Sequence, residues 1–148
     1  MTEFNSDQFA KWEATPAEMV EPNELNGELR VARFSFDNTA SGATSASAND
    51  TIKMTKLPEG SRVLFGELEV TDAFATGATL DIGTSGAQDK YQADLAMDAT
   101  GVSQIASNVA ESGLGSDQLG NTSEDIIGTL ESAGGKGAFE GYLVYVAY

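Results

Sequence analysis

The stretch from Thr51 to Asp72 constrains the fold more than any other part of the chain. Ile52 and Met54 alternate with Lys53 and Thr55, the period of a half-buried strand. Pro58-Glu59-Gly60 comes next with turn chemistry: proline pre-sets one dihedral angle and glycine accepts a positive one. Leu64, Leu68 and Val70 then share a face of a second run, which Gly66 interrupts. The reading is strand, tight turn, strand: a hairpin whose turn sets the register of two core strands. Val63 and Phe65 point opposite to Leu64 and Leu68, which leaves open that this strand is covered on both sides.

The rest of the chain repeats this pattern. Glu28 to Phe36 reads as a strand of irregular parity, with Leu29 and Val31 facing one way and Phe34 and Phe36 the other. A bulge near Arg33, or burial on both faces, would account for that. Residues 38–50 are small and polar and read as a flexible surface loop. Ala78 to Gly83 alternates, Thr84 to Asp89 is a turn, and Lys90 to Met97 alternates again with Tyr91, Ala93, Leu95 and Met97 on one face. Val102, Ile105 and Val109 stand at roughly helical spacing, so a short helix over 102–110 and a loop hugging the core are both open. Asp125 to Leu130 and Ala138 to Tyr148 read as a second hairpin joined by Ser132 to Gly137. The last strand is apolar on both faces, so it is either central in a sandwich or covered by another subunit. The sum is an all-β fold: a β-sandwich or jelly roll of about seven or eight antiparallel strands.

Residues 1–27 differ in character from the remainder of the chain. Ser6 could cap a helical turn carrying Phe9 and Trp12, but Pro16 and Pro22 prevent a continuous helix. Phe4, Phe9, Trp12, Met19 and Val20 are too few for a core and too large for an inert tail. Two readings stand: an extended N-terminal arm that lies on another surface, or a segment packed on its own domain. Trp12 favours the arm, because tryptophan is a frequent interface anchor. The division is thus an arm over 1–27 and a β-sandwich domain over 28–148.

Composition narrows the function. The chain has 148 residues, enough for one domain with a proper core, and 41% of them are hydrophobic. Its 23 acidic against 8 basic residues give a net charge of −15, which disfavours nucleic acid and anionic membrane surfaces as partners. It has neither cysteine nor histidine. Disulfides, thiolate metal sites and a Ser-His-Asp triad are therefore excluded. Met1-Thr2-Glu3-Phe4 lacks the pattern of a signal peptide and no apolar run approaches a membrane span, so the chain is expected to be made in a cytoplasm and to stay soluble, though it need not remain there if it leaves as part of an assembly.

Candidate chemistry is sparse. Asp81 to Asp89 places two acids around a glycine-rich turn, which could hold calcium, although the acidic spacing of an EF-hand loop is missing and a plain hairpin turn explains it too. Glu67, Glu69 and Asp72 offer carboxylate pairs of the kind glycosidases use, yet nothing marks a cleft. Gly134-Gly135-Lys136-Gly137 precedes a strand and lacks the phosphate-loop pattern. Tyr142 and Tyr148 share one strand face while Tyr145 points away, so the three cannot form one sugar-binding platform on a regular strand. No cofactor is expected and no enzyme is indicated.

The segment Ile52-Lys53-Met54, Lys56-Leu57-Pro58, Gly60, Arg62-Val63-Leu64 resembles one found in small virion proteins of tailed bacteriophages, the capsid decoration (cement) proteins. The resemblance continues through Ala78 to Gly83, Asp89-Lys90-Tyr91 and the closing Gly141 to Tyr145, with Pro16 to Val20 ahead of the first strand. It implies a structural protein on the outer surface of the phage capsid, made in the host cytoplasm. Its partners would be the major capsid protein and further copies of itself, commonly as a homotrimer. On that reading Phe4, Phe9, Trp12, Met19 and Val20 are the expected capsid-contact arm, and Phe139, Tyr145 and Tyr148 the expected self-association residues. The alternative is a carbohydrate- or receptor-binding β-sandwich module of the head-fibre type, favoured by an exposed aromatic cluster beside a calcium site.

Overall fold

The computed structural model describes residues 28–105 and 123–147, and these form eight strands. They are β1 (Glu28–Asp37), β2 (Thr51–Leu57), β3 (Arg62–Asp72), β4 (Thr79–Thr84), β5 (Ala87–Ala96), β6 (Gly101–Ile105), β7 (Glu124–Glu131) and β8 (Ala138–Ala147). Two four-stranded antiparallel sheets pack together, in the orders β1-β8-β3-β6 and β2-β7-β4-β5. The chain crosses from sheet to sheet at every connection except β4–β5. That is a jelly roll, within the fold class expected from the strand pattern.

The crossings correct two expectations. β2 pairs with β7, while β3 pairs with β8 and β6, so the 51–72 stretch is not a hairpin. Its turn carries the chain between sheets: Gly60 has φ of 72°, and the Ser61 hydroxyl and amide both donate to the Pro58 carbonyl, at 2.7 and 3.3 Å. Likewise β7 and β8 lie in different sheets. Turn residues specify a local reversal of the chain and not which strand pairs with which.

Pleat and bulges explain the parity puzzles. β1 has no bulge; it pairs with β8 without a register break from Glu28–Ala147 to Asp37–Ala138. Phe34 is buried and Phe36 packs on the core, while Leu29 and Val31 are left outside. In β3 the bulge falls between Val63 and Phe65. Val63 is buried, Leu64 is the inserted residue, and Leu68 and Val70 resume the inward face. Residues 101–105 are strand β6, not helix, because they pair with β3 from Gly66 to Val70.

The core lies between the sheets. Leu57, Val63, Leu68, Leu80, Ile82, Tyr91, Met97, Ile105, Ile126, Leu130 and Leu143 are fully buried. Burying each large aliphatic side chain contributes about 1.5–3 kcal/mol. At one end, Phe34, Phe36, Phe74 and Phe139 form an aromatic cluster. β8 runs between β1 and β3; its inward residues Phe139, Leu143 and Tyr145 fill the core, while Val144 and Val146 on its outer face stay half-buried.

The 38–50 connection is tied down, contrary to its flexible composition. Asn38 is buried and joins it to the β7–β8 connection. Its side-chain amide donates to the carbonyls of Thr44 (3.1 Å) and Gly135 (3.2 Å), and its side-chain oxygen accepts from the Gly137 amide (2.8 Å). Ala46 and Gly135 exchange backbone bonds, and so do the 49–50 backbone and Leu130. Asn38→Ala would strand the buried Gly137 amide and release both loops. A loss of about 2–3 kcal/mol is expected in urea unfolding followed by circular dichroism; a loss under about 0.5 kcal/mol would show that the loops hold without it.

Candidate functional site

The outer face of the β1-β8-β3-β6 sheet is divided by the strand register. One half is apolar: Leu29 faces Val146 across the β1–β8 pair, and Val31 faces Val144, which in turn faces Phe65 on β3. Leu29 is 68% exposed, Val31 58% and Phe65 49%, with Val144 and Val146 half-buried between them. The other half is polar: Arg33, Tyr142, Glu67 and Gln104 form one row, and Ser35, Glu140, Glu69 and Val102 the next. A shallow depression of about 250 Å³ opens there around Tyr142, lined by Arg33, Glu67, Glu69, Glu140 and Val102. The Tyr142 hydroxyl donates to the Glu67 carboxylate. That bond, more than burial, raises the tyrosine's pKa above its ordinary value. Three carboxylates against one guanidinium leave this half acidic.

The outer face of the other sheet is charged. Lys53 and Lys56 both reach Asp125, at 3.3 and 3.6 Å, and the Lys53 contact is the main reason that carboxyl sits below its usual range. Near the other edge, one carboxylate oxygen each from Asp81, Asp94 and Glu131 lie within 4.8 Å of one another. A bulge in β5 sets this up: two residues, Ala93 and Asp94, oppose Asp81, and Asp94 takes φ of 50°. The Asp94 amide donates to Asp81 Oδ1 at 2.8 Å. The Asp81 carboxylate, then burial, then Asp94 raise the Glu131 pKa.

The structure redistributes the residues expected from sequence. Phe4, Phe9, Trp12, Met19, Val20 and Tyr148 lie outside the described residues, as does the 1–27 arm. Phe139 and Tyr145 point into their own chain's core, 2% and 8% exposed, so neither is free for self-association. The register decides this: they share the inward face of β8 with Leu143. Of the Asp81–Asp89 pair only Asp81 joins the carboxylate group, and its companions come from β5 and β7. Glu67, one of the carboxylates weighed for acid–base work, is held by Tyr142. The apolar half-face of Leu29, Val31 and Phe65 is not among the expected sites, although the split parity of β1 carries its signal. A regular strand with two phenylalanines on one side has to show its leucine and valine on the other.

No protein-family model matches this chain, and no curated protein matches its sequence. Its fold, however, recurs in solved phage capsids. It superposes on a chain of the cyanophage Pam1 capsid asymmetric unit with a TM-score of 0.65, at 16% identity over 92% of this chain and 97% of that one. For the capsid of Ralstonia phage GP4 the TM-score is 0.64, at 19% identity over 88% and 92%. For the acid-stable capsid of Helicobacter pylori bacteriophage KHP30 it is 0.54, at 14% identity over 80% and 87%. The likeness runs nearly whole chain to whole chain, so the matched chains are themselves small.

Proposed function

We propose that this chain is a non-enzymatic structural protein of a phage virion, which binds the outer surface of the capsid and bridges neighbouring capsomers. The observation that carries the reading is the near-complete, two-way match to small chains within phage capsids. A small chain that shares its whole fold with other small capsid chains fits an accessory role better than that of the main shell subunit. The charge of −15 supports an outward-facing position, because such a surface repels packaged DNA.

The apolar half of the β1-β8-β3-β6 face is the docking surface on this reading. Exposed clusters of this kind mark interaction sites. Its acidic half opposes a second copy in the same orientation and favours a shell surface with basic residues at its rim. The 1–27 arm, with Phe4, Phe9, Trp12, Met19 and Val20, supplies further anchors, and several modest contacts in a bound trimer would add up through avidity.

The test is co-sedimentation of the purified protein with undecorated heads of its own phage. The intact chain is expected to pellet with them, and failure to do so overturns the reading. The double variant Val31→Lys, Phe65→Glu should keep its β-sheet spectrum and lose at least about tenfold in binding. Unchanged binding would move the contact off this face.

A further inference from the structure

We propose that Asp81, Asp94 and Glu131, with the Thr129 hydroxyl among them, form a calcium site on the outer face of the β2-β7-β4-β5 sheet. The register assembles it. Asp81 is the cross-strand partner of Thr129, and Thr79 that of Glu131, so these four side chains stand on one face as adjacent pairs. Leu80, Ile82 and Leu130 fill the opposite, core-facing side. The β5 bulge brings in Asp94 as the third carboxylate.

Three close carboxylates are common on protein surfaces and imply no ion by themselves. The second observation is the hydroxyl. Thr129 is only 2% exposed, and its Oγ1 is buried without a hydrogen-bond partner. It sits beside Asp81 across the strand pair and two residues before Glu131 on the same face, so two of the three carboxylates flank it. Thr79 Oγ1, across from Glu131, is likewise buried and without a partner. Buried hydroxyls are ordinarily satisfied, and carboxylates this close repel. A bound cation removes both costs at once: it neutralises the charge and takes hydroxyl oxygens as ligands.

The donor set selects the metal. All the donors are oxygen, which suits a hard cation. The carboxylate oxygens, all within 4.8 Å of one another, fit a calcium sphere, whose opposite ligands are about 5 Å apart. Three carboxylates, one or two hydroxyls and water reach the six to eight ligands that calcium takes. The Asp94 amide holds Asp81 Oδ1, which fixes the direction of that carboxylate.

The test is thermal unfolding of the full chain in calcium chloride, in chelator, and in magnesium chloride at equal ionic strength, with calorimetric titration of calcium alone. The expected result is a saturable, calcium-selective rise in Tm. Glu131→Gln should weaken calcium binding by about tenfold or more. In chelator the same variant should unfold no earlier than the wild type, since it relieves repulsion. Thr129→Val should also blunt the calcium response while leaving stability in chelator unchanged or higher. A purely structural role for Glu131 or Thr129 would instead lower stability in chelator. No calcium shift in the wild type, an equal shift with magnesium, or a shift undiminished in Glu131→Gln would each overturn the proposal.

Discussion

Replacing Phe139 with alanine is expected to cost about 3–5 kcal/mol, a large share of the stability of a domain whose total is on the order of 5–15 kcal/mol. Phe139 is the hub of the aromatic cluster. Its ring centroid lies 5.6 Å from Phe36, 6.2 Å from Phe34 in an edge-on contact, and 6.3 Å from Phe74. Phe36 and Phe74 also stack on each other at 6.3 Å. Truncation therefore leaves a cavity bordered by three rings, one of them on the β3–β4 connection and two on β1. β8 is flanked by β1 and β3, so the strand cannot shift inward to fill the gap without breaking one of its ladders. Urea unfolding followed by far-ultraviolet circular dichroism would measure it. A loss below about 1 kcal/mol would mean that the cluster contributes little, and Phe139→Leu should fall well short of the alanine variant.

Gly141→Val is expected to prevent folding altogether. Gly141 lies mid-strand in β8, opposite Phe34 on β1 and Leu68 on β3. A Cβ there would overlap the Glu67 carbonyl oxygen and lie 2.8 Å from Phe34 Cζ and 3.0 Å from the Leu68 Cα. Two of those three obstacles are backbone of a paired neighbouring strand, which has no rotamer to yield. The cost should exceed the roughly 1–3 kcal/mol of ordinary overpacking. Even Gly141→Ala should be severe. Combining it with Phe34→Leu should restore little, because the smaller side chain relieves the ring contact and leaves the carbonyl. Full rescue by Phe34→Leu would show that the ring, and not the paired backbone, forbids the side chain.

Both sites bear on how the chain presents its outer faces. The aromatic cluster and Gly141 hold β8 between β1 and β3, and that placement puts Leu29, Val31, Val144 and Phe65 side by side on the outside. On the proposed function, a variant that disturbs the ladder should therefore lose head binding together with stability. The Val31→Lys, Phe65→Glu pair should separate the two, because neither residue is in the core.

Several features are legible in residue order alone. Alternation locates the strands between Thr51 and Met97, and the double-sided apolar pattern of β8 leaves two readings, a central strand or one covered by another subunit, of which the sheet order shows the central place. The lack of histidine and cysteine excludes whole classes of chemistry. Where reading fails, the missing information is non-local. Glu131 and Asp94 carry no local sign that they join Asp81, since a bulge and a cross-strand register bring them together. Asn38 reads as the start of a loose loop because its partners, Gly135 and Gly137, lie almost a hundred residues on.

Residue order and composition thus specify that this chain forms strands, roughly where each begins and ends apart from β6, and that its surface is strongly acidic. Those properties depend on near neighbours and on simple counts. Strand pairing is different, because it is settled by contacts across the whole chain. The turn at Pro58-Glu59-Gly60 is equally suited to a hairpin and to a crossing between sheets, and the choice depends on which apolar faces must meet. β2 and β3 part there, and β3 finds β8 at the far end of the chain. That pairing, and not the turn, places Phe65 beside Val144 and buries Phe139 and Tyr145.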